Sequence, residues 1–261
     1  MAYLSPRIRN VIIFILYPFI ASAVSFWLSL NSFESVIVFL VLPSVYLSFL
    51  LPHSIVKSGL FSLTVSTLLF IPIDYVAHLT GTWLVPDTVF SFRLFNLVPW
   101  EDILWAFFLA YFMIMFYEYF LDTHRDRKIW RVRMKYLLGV ASVFFVLFIF
   151  LFFVYPSALH LPFFYLWVGL IFFLLPVVVE LFRRPKLSGK IFIVAGYFFL
   201  VALVYEITAL KLGWWSFPGP DFIGWVEIVG ARFPFEEFFF WLVLTAAAAI
   251  SLYEFYDDDE K

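Results

Sequence analysis

Apolar residues fill this chain of 261 residues in eight long blocks separated by short polar connections. The blocks run near 11–30, 36–52, 58–78, 99–121, 136–155, 161–182, 191–210 and 234–256, each roughly 17 to 23 residues long. A helix rises about 1.5 Å per residue, so about 20 residues cross the roughly 30 Å of hydrocarbon in a bilayer. The pattern predicts an all-α polytopic membrane protein of about eight transmembrane helices in contact with membrane lipid. Composition points the same way: 64% of the residues are hydrophobic, 24% aromatic and only 14% charged, far outside soluble usage.

The first block imitates a secretory signal, with Arg7 and Arg9, ten apolar residues and then Ala21-Ser22-Ala23. Apolar character continues through Trp27 and Leu30, and losing this helix would break the symmetry described next, so it is read as an uncleaved span. Orientation follows from the basic residues in the connections. With the N-terminus inside, Arg7, Arg9, Lys57, six residues from Arg125 to Lys135, Arg183, Arg184, Lys186, Lys190 and Lys261 put 14 on the cytoplasmic side, against Arg93, Lys211 and Arg232 outside. Both termini of a multi-pass cell-membrane protein are therefore expected in the cytoplasm.

Two stretches of the chain say nearly the same thing. Asp74-Tyr-Val-Ala-His-Leu-Thr-Gly81-Thr-Trp83 precedes Pro99-Trp100-Glu101-Asp102, and Glu206-Ile-Thr-Ala-Leu-Lys-Leu-Gly213-Trp-Trp215 precedes Pro234-Phe235-Glu236-Glu237. Acid, glycine and tryptophan map with a constant offset of 132, and the Pro-x-Glu-acid blocks align at 135. Four helices separate equivalent positions, so the halves, 1–130 and 131–261, are expected to be four-helix repeats of equal orientation about an axis along the membrane normal. In each half the third helix ends in the acid and the Gly-x-Trp turn, an outer loop follows, and Pro-x-Glu-acid opens the fourth helix.

An acid beside a proline at a helix start is an ordinary cap, because the proline loses no internal hydrogen bond and the acid meets the positive end of the helix dipole. One acid would satisfy that cap. Both halves carry two, flanked by aromatics, at a depth where unpaired charge costs several kcal/mol. Neighbouring side chains on a helix diverge by about 100°, so one acid of each pair is expected to face a central cleft while the other orients it or shares its proton. With Asp74 and Glu206 at the same level, up to six carboxyls converge: Asp74, Glu101, Asp102, Glu206, Glu236 and Glu237. Like charges in a desolvated site cannot all ionise, and a carboxyl that keeps its proton is an acid catalyst.

Other features are weaker. Asp122-Thr-His-Arg-Asp126 has the spacing of a magnesium-diphosphate motif, but no partner motif exists and arginines interrupt it, so it reads as solvated loop. Asp257 to Glu260 read as a soluble tail, and Glu118, Glu180 and Glu254 as acids that snorkel or pair with arginines near helix ends. His78 lies one turn beyond Asp74, but its counterpart is Leu210, which argues against a metal site shared by both halves. The absence of cysteine excludes disulfides, thiolate metal sites and cysteine nucleophiles. A net charge of −2 with basic residues confined to short loops argues against nucleic acid as a partner. No G-x-G-x-x-G occurs among the ten glycines, and no soluble segment is long enough for a dinucleotide fold. A retinal protein would need a lysine within a late helix, whereas Lys190 and Lys211 lie at the ends of the seventh.

At the duplicated blocks the chain resembles the lycopene cyclase domain family, flavin-independent carotenoid cyclases whose halves are separate subunits in some bacteria and fused in archaea and fungi. The residues that carry the resemblance are Glu206, Gly213-x-Trp215-Ser-Phe and Pro234-Phe-Glu236-Glu237-Phe-x-Phe, with a weaker copy in Asp74, Gly81-x-Trp83 and Pro99-x-Glu101-Asp102. It covers essentially the whole chain. In the first copy Leu84-Val85 stands where the second has Ser216-Phe217, so the first half is expected to be less engaged in chemistry. The resemblance implies no metal or redox cofactor and a substrate such as lycopene or a related apolar carotenoid. Protonation of C2 of the terminal alkene leaves a tertiary cation, C6 of the next double bond attacks it, and loss of the C6 proton completes a β-ring. That chemistry asks for one acid, one base and a dry aromatic pocket. Glu236 or Glu237 is the expected donor, with Glu101 or Asp102, Glu206 and Asp74 as base and relay. The faces of Trp83, Trp100, Trp105, Trp214, Trp215 and Trp241 are the expected substrate walls, since π faces stabilise carbocations as they do ammonium ions. A carotenoid hydratase, an ε, γ or C50 cyclase, or a proton-coupled transporter are the competing readings.

Overall fold

The computed structural model describes residues 5–122 and 132–257. Eight helices among them are long and apolar enough to cross a membrane. They are α1 (Pro6–Leu28), α2 (Ser32–Leu50), α3 (Ile55–Thr80), α4 (Trp100–Phe120), α5 (Arg133–Val154), α6 (Phe164–Arg183), α7 (Pro185–Leu212) and α8 (Glu237–Phe255). The apolar blocks are thus helices, but their ends move outward where polar residues begin or finish a turn. Helix α1 starts at Pro6 because the hydroxyl of Ser5 accepts the Ile8 N–H at 3.4 Å and proline suits the first turn. Arg7 therefore lies on the helix, where its guanidinium donates to the Phe120 carbonyl at 2.6 Å.

Helices α3 and α4 are the most buried, and α1 and α5 turn mainly apolar side chains such as Leu16, Ile20, Val143 and Phe153 outward. Soluble helices present a polar face there; an apolar one suits lipid. Residues from both halves share one core, in which Phe14, Phe112, Phe116, Tyr197 and Phe198 interlock edge to face or stacked. Polar ties fix α1 against α7: Ser22 and Thr208 share a 2.7 Å hydrogen bond, and the Tyr197 hydroxyl donates to the Phe14 carbonyl at 3.2 Å.

Four helices carry π-helical stretches: Ile37–Val41, Val65–Leu69, Gly169–Leu174 and Glu237–Leu244. Three run up to a proline, at Pro43, Pro72 and Pro176. Proline supplies no N–H to the carbonyl four residues back and its ring collides with it, so the ladder widens by a residue. The fourth has no proline; there the Thr245 hydroxyl bonds the Phe240 carbonyl five residues earlier at 3.3 Å.

Between α3 and α4, β1 (Arg93–Leu94) pairs antiparallel with β2 (Val98–Pro99); between α7 and α8, β3 (Trp225–Ile228) pairs with β4 (Ala231–Pro234). Each hairpin delivers its chain to the acid-bearing helix start. The two connections also bond to each other. Leu84 and Ser216, 132 positions apart, exchange both backbone hydrogen bonds at 2.9 and 3.0 Å, and Gly219 N–H bonds the Gly81 carbonyl at 2.7 Å. A Cβ on Gly219 would lie 2.8 Å from that carbonyl oxygen, so glycine is what admits the second strand.

The opposite helix ends carry a buried polar cluster. Glu118 takes hydrogen bonds from Tyr253 and Ser54 and lies 3.5 Å from Lys57 Nζ. Glu254 takes one from Tyr117 and lies 3.4 Å from Arg184, while Glu180 bonds Arg183 at 2.9 Å. These acids are paired within the bundle rather than snorkelling, and Glu118 is served by a lysine and a tyrosine rather than an arginine. Asp122 is likewise no solvated loop acid: it is buried, with Lys190 Nζ 3.7 Å away. Its motif partner Asp126, most of the basic run 125–135 and the acids 258–260 lie outside the described residues.

Candidate functional site

Both copies hold their helix acid by the same contact. Asp74 Oδ1 accepts the indole N–H of Trp83 at 2.7 Å, and Glu206 Oε1 accepts that of Trp215 at 3.1 Å. Each pair spans nine residues because the helix stops at a glycine in the left-handed region, Gly81 at φ 69° and Gly213 at φ 73°. Glycine enters that region without a Cβ clash, and the reversal folds the tryptophan back over the last turns of its own helix.

The Pro-x-Glu-acid pairs divide their labour by position. Glu101 Oε1 accepts the Phe90 N–H and Glu236 Oε1 accepts the Ile223 N–H, both at 2.8 Å. The first acid of each pair therefore fastens the preceding loop onto the helix start. The second, Asp102 or Glu237, is turned about 100° from it and lines the cleft. Expecting one cleft-facing acid per pair fits the second copy, where Glu236 is buried away from the cleft. In the first copy Glu101 lines it beside Asp102.

The cleft is partly open and spans about 1040 Å³ of space, part of it continuous with the surroundings. Asp74, Glu101, Asp102, Glu206 and Glu237 all border it, five of the six acids singled out by the sequence. Trp83, Trp105, Trp215 and Trp241 border it too, and Trp241 packs 5.6 Å from Trp105 and 5.8 Å from Trp83 between ring centroids. The expected walls Trp100 and Trp214 are not among them. Trp100 is 41% exposed because it precedes Glu101 on the outer side of the turn. Trp214 is drawn the other way, its indole N–H donating to the Leu30 carbonyl at 2.7 Å.

The two copies differ in what meets the second acid. Tyr165, buried on α6, donates its hydroxyl to Glu237, and its ring packs 5.3 Å from Trp83 of the other half. Tyr165 was invisible to the duplication, since the residue 132 positions earlier is Phe33. In the first copy His78 approaches Asp102: its Nε2 lies 3.8 Å from Asp102 Oδ2, while Nδ1 lies 3.0 Å from the Asp74 carbonyl and 3.4 Å from Asp74 Oδ1. Asp74, His78 and Asp102 each bring a ligand-type atom within 4.8 Å of the others, the one such grouping among the described residues. These are the donors a cation would use, and Leu210 leaves the second copy without an equivalent.

Several buried polar atoms at the cleft have no hydrogen-bond partner among the described residues: Asp74 Oδ2, Glu101 Oε2, Asp102 Oδ2, and the indole nitrogens of Trp105 and Trp241. Buried polar groups are usually paired, so a concentration of free carboxyl oxygens in one aromatic cleft suits exchange of protons with a bound molecule. Comparison with protein-family models, with curated proteins and with solved structures finds no match to this chain.

Proposed function

We propose that this protein is a lycopene β-cyclase, an isomerase that closes the open ends of lycopene to β-rings by way of the monocyclic γ-carotene. The observation that carries the reading is the convergence of carboxyls from both halves on one aromatic, otherwise apolar cleft. Glu237 is the proton donor to C2, since it faces the cleft and keeps a fixed direction through the Tyr165 hydroxyl. The C1 cation is attacked by C6, the charge moves to C5, and Trp83, Trp105 and Trp241 offer it π faces while water is kept out. Asp102 receives the C6 proton, with Asp74 and His78 beside it to pass the proton on. Glu206 holds Trp215 in place, and Glu101 and Glu236 set the helix starts.

The fold reading that goes with this is a pair of four-helix repeats about an axis along the membrane normal. The Leu84 and Ser216 pairing supports it, because equivalent residues meet each other only on a two-fold axis. Termini in the cytoplasm and acids near the outer face of the cell membrane complete the arrangement. A proton-coupled transporter is disfavoured by the second cavity, whose lining contains no ionisable side chain between the cleft and the polar cluster at the other helix ends.

The test is expression in lycopene-accumulating cells followed by pigment chromatography. Conversion of lycopene to γ- and β-carotene is the expected result. A hydroxylated, ε-ring or γ-ring product would move the protein to a related carotenoid enzyme, and unchanged lycopene beside folded protein would refute the proposal.

A further inference from the structure

A second, partly open space adjoins the acid cleft. Phe70, Trp105, Leu109, Met113, Trp241 and Thr245 line both, so the two are separated by one layer of side chains. Protein interiors are packed as densely as organic crystals, and voids larger than a few waters are rare in them. A partly open space between the helices, lined by apolar side chains and continuous with the acid cleft, can receive a hydrocarbon.

Its chemistry is narrow. The lining is apolar apart from the Thr245 hydroxyl and the Trp105 and Trp241 indole nitrogens, and small side chains at Ala106, Ala110, Ala248 and Ala249 keep it open. The far end is stopped by Phe61, whose ring lies 5.4 Å from Tyr253, the residue that donates to Glu118. A charged or hydrogen-bonding ligand would lose its partners here, whereas a hydrocarbon gains dispersion contacts with the apolar walls.

Length selects among hydrocarbons. From Glu237 at the cleft to Leu252 at the floor, α8 advances fifteen residues, or about 22 Å. A C40 polyene is roughly as long as the 30 Å hydrocarbon layer, and a C20 chain about half that. With one end at the acids, a C40 chain must pass the Trp105–Trp241 layer, about 6 Å from Glu237 along α8, and run through the second space past Ala249, about 18 Å away, whereas a C20 chain of about 15 Å stops short of Ala249.

We propose that this second space is a subsite for the central part of a linear C40 polyene, and that it measures chain length for the acid cleft. The proposal rests on the cyclase reading and adds what it does not contain: a site remote from the chemistry that distinguishes long from short isoprenoids. Trp105 and Trp241 form the passage between reacting end and chain.

The experiment uses the full-length protein purified in detergent and a graded series at the half-buried Ala249: Ala249→Val, Ala249→Leu and Ala249→Phe. Each is given lycopene and, separately, an acyclic C20 polyene hydrocarbon with the same dimethyl-alkene end. The readout is the ratio of kcat/KM for C40 over C20, which is insensitive to the fraction of folded enzyme. It is expected to fall progressively, by at least tenfold at Ala249→Phe, while C20 turnover stays within about twofold. A ratio that stays constant along the series overturns the proposal, including the case in which both activities decline together. If the wild-type protein cyclises neither substrate, the cyclase reading fails by itself. The subsite is then judged by quenching of tryptophan fluorescence on lycopene titration, and an affinity unchanged by Ala249→Phe overturns it.

Discussion

Replacing Glu237 and Glu236 in turn by glutamine separates a proton donor from its neighbour. Glu237→Gln keeps shape and an acceptor for the Tyr165 hydroxyl but removes the transferable proton. General acid catalysis is worth at least about 100-fold, or about 2.7 kcal/mol of barrier. Glu236→Gln keeps the Oε1 acceptor for the Ile223 N–H at 2.8 Å and loses only charge assistance. That costs about 1 kcal/mol, and even if all of it appeared in the barrier the rate would fall only about fivefold. The two variants should therefore differ by a factor of about 20 or more, with single-turnover lycopene consumption by purified protein as the assay. Asp102→Asn should likewise be slower than Glu101→Gln. Equal losses at Glu236 and Glu237 would refute the assignment by direction, and normal activity in all four variants would reduce these acids to helix caps.

Gly169→Ala should destabilise the protein by about 1–3 kcal/mol, because an added Cβ would sit 2.1 Å from the Phe240 ring; an unchanged melting temperature in detergent would mean that Phe240 yields freely. Single cysteines introduced into this cysteine-free chain should be labelled from outside intact cells in loops 79–98 and 211–233 but not in 122–135. Outside labelling of 122–135 would invert the topology. Since the acids lie at one end of the helices, a bound C40 chain should present one end at a time. γ-Carotene should then appear transiently and exchange with added unlabelled γ-carotene. Bicyclic product formed without exchange would point to two simultaneous sites.

Apolar block length made the helices legible, because little else can follow from twenty apolar residues in a row. Their ends were less so: an apolar window stops short of Arg7 and Lys190, whereas the helix continues through them and lets the long side chains reach the Phe120 carbonyl and Asp122. The π stretches leave no mark on periodicity and follow from prolines and packing. Duplication exposed Asp74, Glu206 and the two acid pairs together with Trp83 and Trp215, since those contacts are made twice. It was silent on Tyr165 and His78, whose counterparts are Phe33 and Leu210. Trp100 and Trp214 do not border the cleft, because proximity in sequence says nothing of direction; each stands beside a residue that does border it and is itself turned elsewhere.

The widened turn over Glu237–Leu244 gives α8 a rotational phase that a regular helix would lack. Its first residue is aimed by the hairpin at the cleft, and its later alanines are aimed by packing at the second space. A regular helix advances about 100° per residue, so these two headings would be locked together and one would be wrong. The π stretch absorbs the mismatch. Deleting one residue between Phe238 and Leu244 would restore a uniform ladder, and then either Glu237 would swing off the cleft or Ala248 and Ala249 would leave the bundle interior. The reach of the acid and the seating of the helix can vary separately only while that extra residue is kept.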